Sequence, residues 1–281
     1  MGSKDIAEKH FEEINKVFAD IVNGTLFGGQ QTVKEEDLFD LPARSQFKAD
    51  TNKLHEQERD IAKRWAKEGI VFSIIGIENQ TVVDRDMVLR VISYDGASYK
   101  SQLLDENDPR RYPVVTIVLY YGKEPWNAPN SLKERINIPA CIEKYVNDYH
   151  INVFDISHMA DSEIDKLFYS DFKILAKFIN GTEDAREITE KIEFPDPLLK
   201  VLSVVTGDER FEALNGEFEE GEATMCEILD RYEARGKHTT SREIAENLAK
   251  NGVSLDIIIA SIPNLPEDEI QEIFNSITKK S

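Results

Sequence analysis

Between Ile6 and Val22 apolar residues recur at helical spacing, with Ile6, Phe11, Ile14, Val17, Phe18, Ile21 and Val22 on one side, and Gly24 supplies the expected stop. Ile70 to Ile77 follows a different rule. There Ile70, Val71, Phe72, Ile74, Ile75 and Ile77 make a near-continuous run rich in β-branched residues, the pattern of a strand buried on both faces. Residues Arg59 to Trp65 read as the other arm of a hairpin turned near Lys67-Glu68-Gly69. Val114 to Tyr121 and the shorter Ile151 to Ile156 give two more strands. Met87, Val88, Val91, Ile92 and Leu103 place a long helix over Asp84 to Leu104, and Ser162 to Ile179 is a second amphipathic stretch. Helical and extended segments therefore alternate, which predicts an α/β fold, a central mixed sheet flanked by helices. Gly28-Gly29-Gln30-Gln31 reads as a turn, Val33 to Leu41 as a short helical or irregular piece closed by Pro42, and Ala43 to Gln57 as a polar surface connection.

Beyond Asn180-Gly181 the pattern is helical throughout. Leu198 to Val205 predicts a short core helix, and Met225, Ile228, Leu229 and Tyr232 give a buried stripe after the charged run Glu217 to Glu222. Ser241 to Asn251, Leu255 to Ile262 and Pro266 to Ile277 follow as three short helices split at Gly252 and Pro266. A division at 180 is expected, with a larger α/β domain over 1–180 and an acidic helical region over 181–281.

Charge sharpens that division. The chain carries a net −19, but residues 1–150 hold 20 basic against 25 acidic side chains, while residues 151–281 hold 14 against 28. Ser241 to Ser281 has helix-turn-helix-like joints, yet four bases face seven acids there, which favours packing or homo-oligomerisation over DNA reading. Other function classes fall away. Gly28-Gly29 lacks phosphate-loop spacing, and the five histidines form no HExxH or zinc pattern. Cys141 and Cys226 are isolated, no window approaches a membrane span, and the N-terminus is charged, so a soluble, unexported, cytoplasmic protein is expected.

The candidate chemistry gathers where the first strong strand ends, in Glu78-Asn79-Gln80. A carboxylate closing a buried strand is costly unless a cation or a hydrogen-bond donor meets it. Glu78 and Gln80, two apart, share one face, and Asp60 on the neighbouring arm brings a second carboxylate within reach of one divalent metal. Arg59, Lys63, Arg64 and Lys67 add a basic cluster on the same hairpin. On the long helix Arg90 and Tyr94 are four apart and share a face, although Asp86 offers Arg90 an ordinary ion-pair partner. Read singly, each of these residues is an unremarkable surface or packing side chain.

Taken in order, Phe18 to Gly29, Arg59-Asp60, Gly76-Ile77-Glu78-Asn79-Gln80, Met87-Val88-Leu89-Arg90 with Tyr94-Asp95, and Pro113 to Gly122 with Trp126 resemble the recombination-promoting nuclease/putative transposase family. The resemblance runs from about Phe18 to Phe178, with a fainter echo over Ala245 to Phe274. Arg44 to Gln57 departs from that family's pattern. The resemblance implies a PD-(D/E)XK nuclease core, with Gln80 at the position usually held by Lys, and hydrolysis of DNA phosphodiester bonds with Mg²⁺ or Mn²⁺. It further implies Asp60, Glu78, the Asn79 carbonyl and Asp20 as metal ligands, with Arg90 or Tyr94 facing a phosphate. The alternative is a catalytically inactive, nuclease-derived regulatory or protein-interaction module, kept off DNA by its acidity.

Overall fold

A computed structural model describes residues 3–41, 44–48, 54–58, 61–105, 108–181 and 185–278. The N-terminal apolar stripe is carried by two helices, α1 (Ser3–Glu12) and α2 (Asn15–Phe27), instead of one. They part at Ile14, whose backbone is extended with ψ at 120°. Periodicity did not register the break because both helices turn their apolar side to the same core, and neither Pro nor Gly marks the joint. The stop moves as well. Gly24 lies inside α2, where a Cβ would fall 2.2 Å from Phe168 Cε1, and the helix ends at Gly28, which takes the left-handed conformation.

After a short 3-10 turn over Glu35–Asp37, β1 (Leu38–Asp40) forms one edge of the main sheet. The polar stretch expected to be a surface connection contains a hairpin, β2 (Arg44–Lys48) with β3 (Leu54–Glu58), which forms a separate two-stranded sheet. The next hairpin agrees with the sequence pattern: β4 (Ile61–Lys67) and β5 (Ile70–Gln80) are antiparallel, joined through Glu68 and Gly69, both at positive φ. Two successive left-handed residues give the turn the twist that a two-residue hairpin needs.

Helix α3 (Met87–Leu104) then carries the chain to β6 (Val114–Tyr120), parallel to β5. A short α4 (Leu132–Arg135) precedes β7 (Asn152–Asp155), parallel to β6. The sheet order is β1-β4-β5-β6-β7, so the chain is a mixed five-stranded sheet flanked by helices. On one face Ile75, Ile77, Ile117 and Leu119 join a core with Val17, Phe18, Ile21 and Val22 of α2. On the other, Val118 packs against Met87, Val88 and Val91 of α3.

The amphipathic stretch at 162–179 is also two helices, α5 (Asp161–Leu167) and α6 (Asp171–Asn180), the second capped by Ser170 Oγ, which accepts from Phe172 N at 3.2 Å. Helix α7 (Pro195–Thr206) follows. Its Leu198, Leu199, Val201 and Leu202 belong to the same core as the sheet, as do Met225 and Ile228 of α8 (Met225–Lys250). The main core thus runs through the boundary expected at 180. Helix α8 is one 26-residue element where two helices were expected, started by a Thr224/Glu227 capping box. Its far half joins α9 (Leu255–Ser261) and α10 (Glu267–Thr278) around a second core of Ala245, Ala249, Ile258, Ile262, Leu265, Ile270 and Ile273. Among the described residues no helix is long and apolar enough to cross a membrane.

Candidate active site

Strands β5, β6 and β7 run parallel and end together at Gln80, Tyr120 and Asp155. The carboxyl ends of parallel strands are where open α/β sheets place their ligands. Alternation sorts the last residues of β5 between two faces. Ile77 enters the core beneath α2. Glu78, paired in register with Val118, faces α3, and Asn79 turns back toward α1.

Glu78 is 1% exposed. Its Oε2 stands 3.8 Å from Arg90 Nη2. Arg90 in turn donates Nη1 to Asp84 Oδ2 at 3.1 Å and Nε and Nη2 to the Tyr94 hydroxyl at 3.4 and 3.2 Å. Burial works against the guanidinium's charge, yet Tyr94, Asp84 and Glu78 outweigh it and hold the arginine pKa above its usual value. The i,i+4 spacing of Arg90 and Tyr94 therefore does bring them together, on the face that Glu78 occupies. The ordinary pairing of Arg90 with Asp86 is not formed. Asp86 takes Arg135 Nε at 2.6 Å, leaving Asp84, three residues before the helix, as the arginine's carboxylate. Gln80 lies half-buried on the same side of β5 as Glu78, and its carbonyl accepts from Tyr121 N at 2.8 Å.

Asn79 is engaged on the opposite face. Its Nδ2 donates to Glu12 Oε2 at 2.7 Å, and Tyr121 OH donates to Glu12 Oε1 at 3.3 Å. Burial, with Glu12 and Glu8 close by, pushes the Tyr121 phenol well above its ordinary pKa, so it stays a donor. Glu8 and Glu12 are both buried, a role that the sequence reading missed. The signal was present, since carboxylates four apart beside Phe11 interrupt the apolar side of the helix.

Asp20, expected as a metal ligand, is bound elsewhere. Its two oxygens accept from Tyr169 N at 2.9 Å, Ser170 N at 2.8 Å and Ser170 Oγ at 2.7 Å. Burial raises its pKa, and those donors work against the rise. They satisfy a buried carboxylate at the α5–α6 joint, and α2 packs on the face away from Glu78, so the two are not brought together. Asp60 and Arg59 lie outside the described residues.

The basic cluster expected on the hairpin is divided. Lys63 is 1% exposed, donates to Asn15 Oδ1 at 2.8 Å, pairs with Asp40 and sits over the Phe18 ring. It is a core lysine on the α2 face. Arg64 and Lys67 remain at the surface. A further polar knot, also missed in sequence, ties down the loop after β6: Asp155 accepts from Trp126 N at 2.9 Å and meets His158 Nδ1 at 2.7 Å, while His158 Nε2 is 3.2 Å from the Lys123 carbonyl.

Among the described residues no three His, Cys, Asp or Glu side chains converge to hold a metal ion. Around Glu78 stand the Arg90 guanidinium and, held by it, the Asp84 carboxylate and the Tyr94 hydroxyl; the oxygens suit a hard cation such as Mg²⁺, while the guanidinium would compete with it. A family model described as putative transposase, YhgA-like, matches residues 60–206, which takes in β4 to α7 and with them the whole of this cluster. No curated protein and no solved structure matches the chain.

Proposed function

The chain belongs to the YhgA-like putative transposase family, and from that premise we propose that it acts on DNA as a metal-dependent endonuclease with a PD-(D/E)XK-type core. The observation that carries this reading is Glu78, buried at the exit of a parallel strand with Arg90 and Tyr94 on its own face. Glu78, Asp60 and the Asn79 carbonyl would hold Mg²⁺ or Mn²⁺. The bound cation would lower the pKa of an attacking water and offset charge on the scissile phosphate. Ile61, the residue that follows Asp60 in the sequence, pairs with Ile77. Gln80 carries no charge, so its part is to orient water or a phosphate oxygen by hydrogen bonds. Arg90, held by Tyr94 and Asp84, offers a fixed cation for a phosphate oxygen.

Net charge favours a second reading. A chain at −19 repels a phosphate backbone, and one lysine of the expected basic cluster is spent inside the core. A catalytically silent relative, serving as a regulatory or protein-interaction module and assembling through its C-terminal helices, would fit those facts.

Plasmid nicking separates the two. The endonuclease reading expects nicked or linear product with Mg²⁺ or Mn²⁺, none with excess chelator, and none from Glu78→Ala or Asp60→Ala proteins that remain folded. Cleavage that survives chelation removes the metal. A folded wild-type protein that never cleaves under these conditions leaves the second reading, most directly if it also fails to bind DNA.

A further inference from the structure

A carboxylate as deeply buried as Glu78 needs a counter-charge, and the chain supplies Arg90. The guanidinium is shared unevenly. It hydrogen bonds Asp84 at 3.1 Å and the Tyr94 hydroxyl at 3.2 Å, but reaches Glu78 only at 3.8 Å, beyond hydrogen-bond range. Asp84 and Tyr94 therefore decide where the cation stands, and Glu78 receives its field. Asp86 does not compete, being taken by Arg135. A divalent cation arriving at Glu78 would meet a like charge within a few ångströms, on a guanidinium that is itself partly open to solvent.

We propose that Arg90 is an internal counter-ion that a divalent cation at Glu78 must displace, and that Asp84 is the positioning residue that holds it back. The inference rests on reading Glu78 as a cation ligand. Displacement gives up only the long contact to Glu78, because the bonds to Asp84 and Tyr94 can persist. The guanidinium then stays at the mouth of the site, free on one edge to meet an anionic oxygen. Asp84 thereby gains a role that its place in the short link between β5 and α3 does not suggest.

Mn²⁺ binding to the full chain, measured by calorimetry, tests this without reference to cleavage. Glu78→Gln serves as the background, since so acidic a surface collects cations elsewhere. Arg90→Gln is expected to tighten the Glu78-dependent site at least about tenfold, because a neighbouring positive charge is removed. Asp84→Asn is expected to weaken it severalfold, as the unanchored guanidinium leans onto Glu78, and to have no effect in an Arg90→Gln background. Affinity unchanged or lowered in Arg90→Gln overturns the proposal. Equal weakening by Asp84→Asn in both backgrounds makes Asp84 a ligand and overturns its positioning role. If neither protein has a Glu78-dependent site, the cation reading of Glu78 fails and the inference with it; if the site exists at unaltered affinity, only the inference fails. Should Arg90→Gln not fold, the Arg90 Nε–H resonance of the wild-type chain provides the answer. It should shift in step with Mg²⁺ saturation, and a resonance that stays in place overturns the proposal.

Discussion

Asn79 of β5 donates its side-chain amide to Glu12 of α1 across 2.7 Å, a bond on the face of the strand opposite Glu78. With Asn79 turned toward α1, Glu78 and Gln80 must point to α3. Asn79→Ala removes a hydrogen bond to a buried carboxylate, and the expected loss in urea unfolding is about 1.5–3 kcal/mol. A loss within about 0.5 kcal/mol would mean that the strand end is held by its ladder alone.

Gly24 tests the packing of α2. A Cβ there would meet Phe168 at 2.2 Å and the Leu167 carbonyl at 3.0 Å, and the ring is itself fully buried. Gly24→Ala should therefore destabilise by about 1–3 kcal/mol through overpacking, despite alanine's better helix propensity. Equilibrium denaturation checks it. A stabilised variant would show that Phe168 can move aside.

His158 should make the loop after β6 sensitive to pH. Hydrogen bonding to Asp155 raises its pKa from the ordinary value of 6.5, so the stabilisation is complete below that value and is lost as pH rises through the folded-state pKa. Melting temperatures of wild type and His158→Gln should differ most near about pH 6 and converge near about pH 9. A gap that widens with pH contradicts the assignment.

Where the chain can be cut follows from its two cores. A 1–180 fragment loses Leu198, Leu199, Val201, Leu202, Met225 and Ile228 from the main core and should lack a cooperative thermal transition. A 1–238 fragment keeps them and gives up only the second cluster, so it should melt cooperatively. Circular dichroism of both fragments decides this, and a cooperative 1–180 fragment would show that α7 and α8 are dispensable.

DNA binding, where it occurs, should depend steeply on salt, with a slope in log K against log salt of roughly −0.9 per phosphate neutralised. Arg64→Gln and Lys67→Gln should each flatten that slope, since both side chains are at the surface. Lys63→Met, if folded, should leave it unchanged because its ammonium is already paired with Asp40. An equal effect from all three would place Lys63 on the binding face.

Local pattern alone placed the strands over Ile70 to Gln80 and Val114 to Tyr121 and the helix over Asp84 to Leu104, observed as Ile70–Gln80, Val114–Tyr120 and Met87–Leu104, together with the turn at Glu68-Gly69 and the shared face of Glu78 and Gln80. Each follows from periods of two or 3.6 residues and from turn chemistry, which act over short range. Breaks between helices that share a core stayed hidden at Ile14 and at 168–170, because apolar spacing continues across them. The partners of charged side chains were decided only by the tertiary structure. Asp20, Lys63 and Glu12 are ordinary charged residues in a helix or strand until folding brings Ser170, Asn15 and Asn79 against them. Burial then gives each of those contacts a strength that no spacing along the chain encodes.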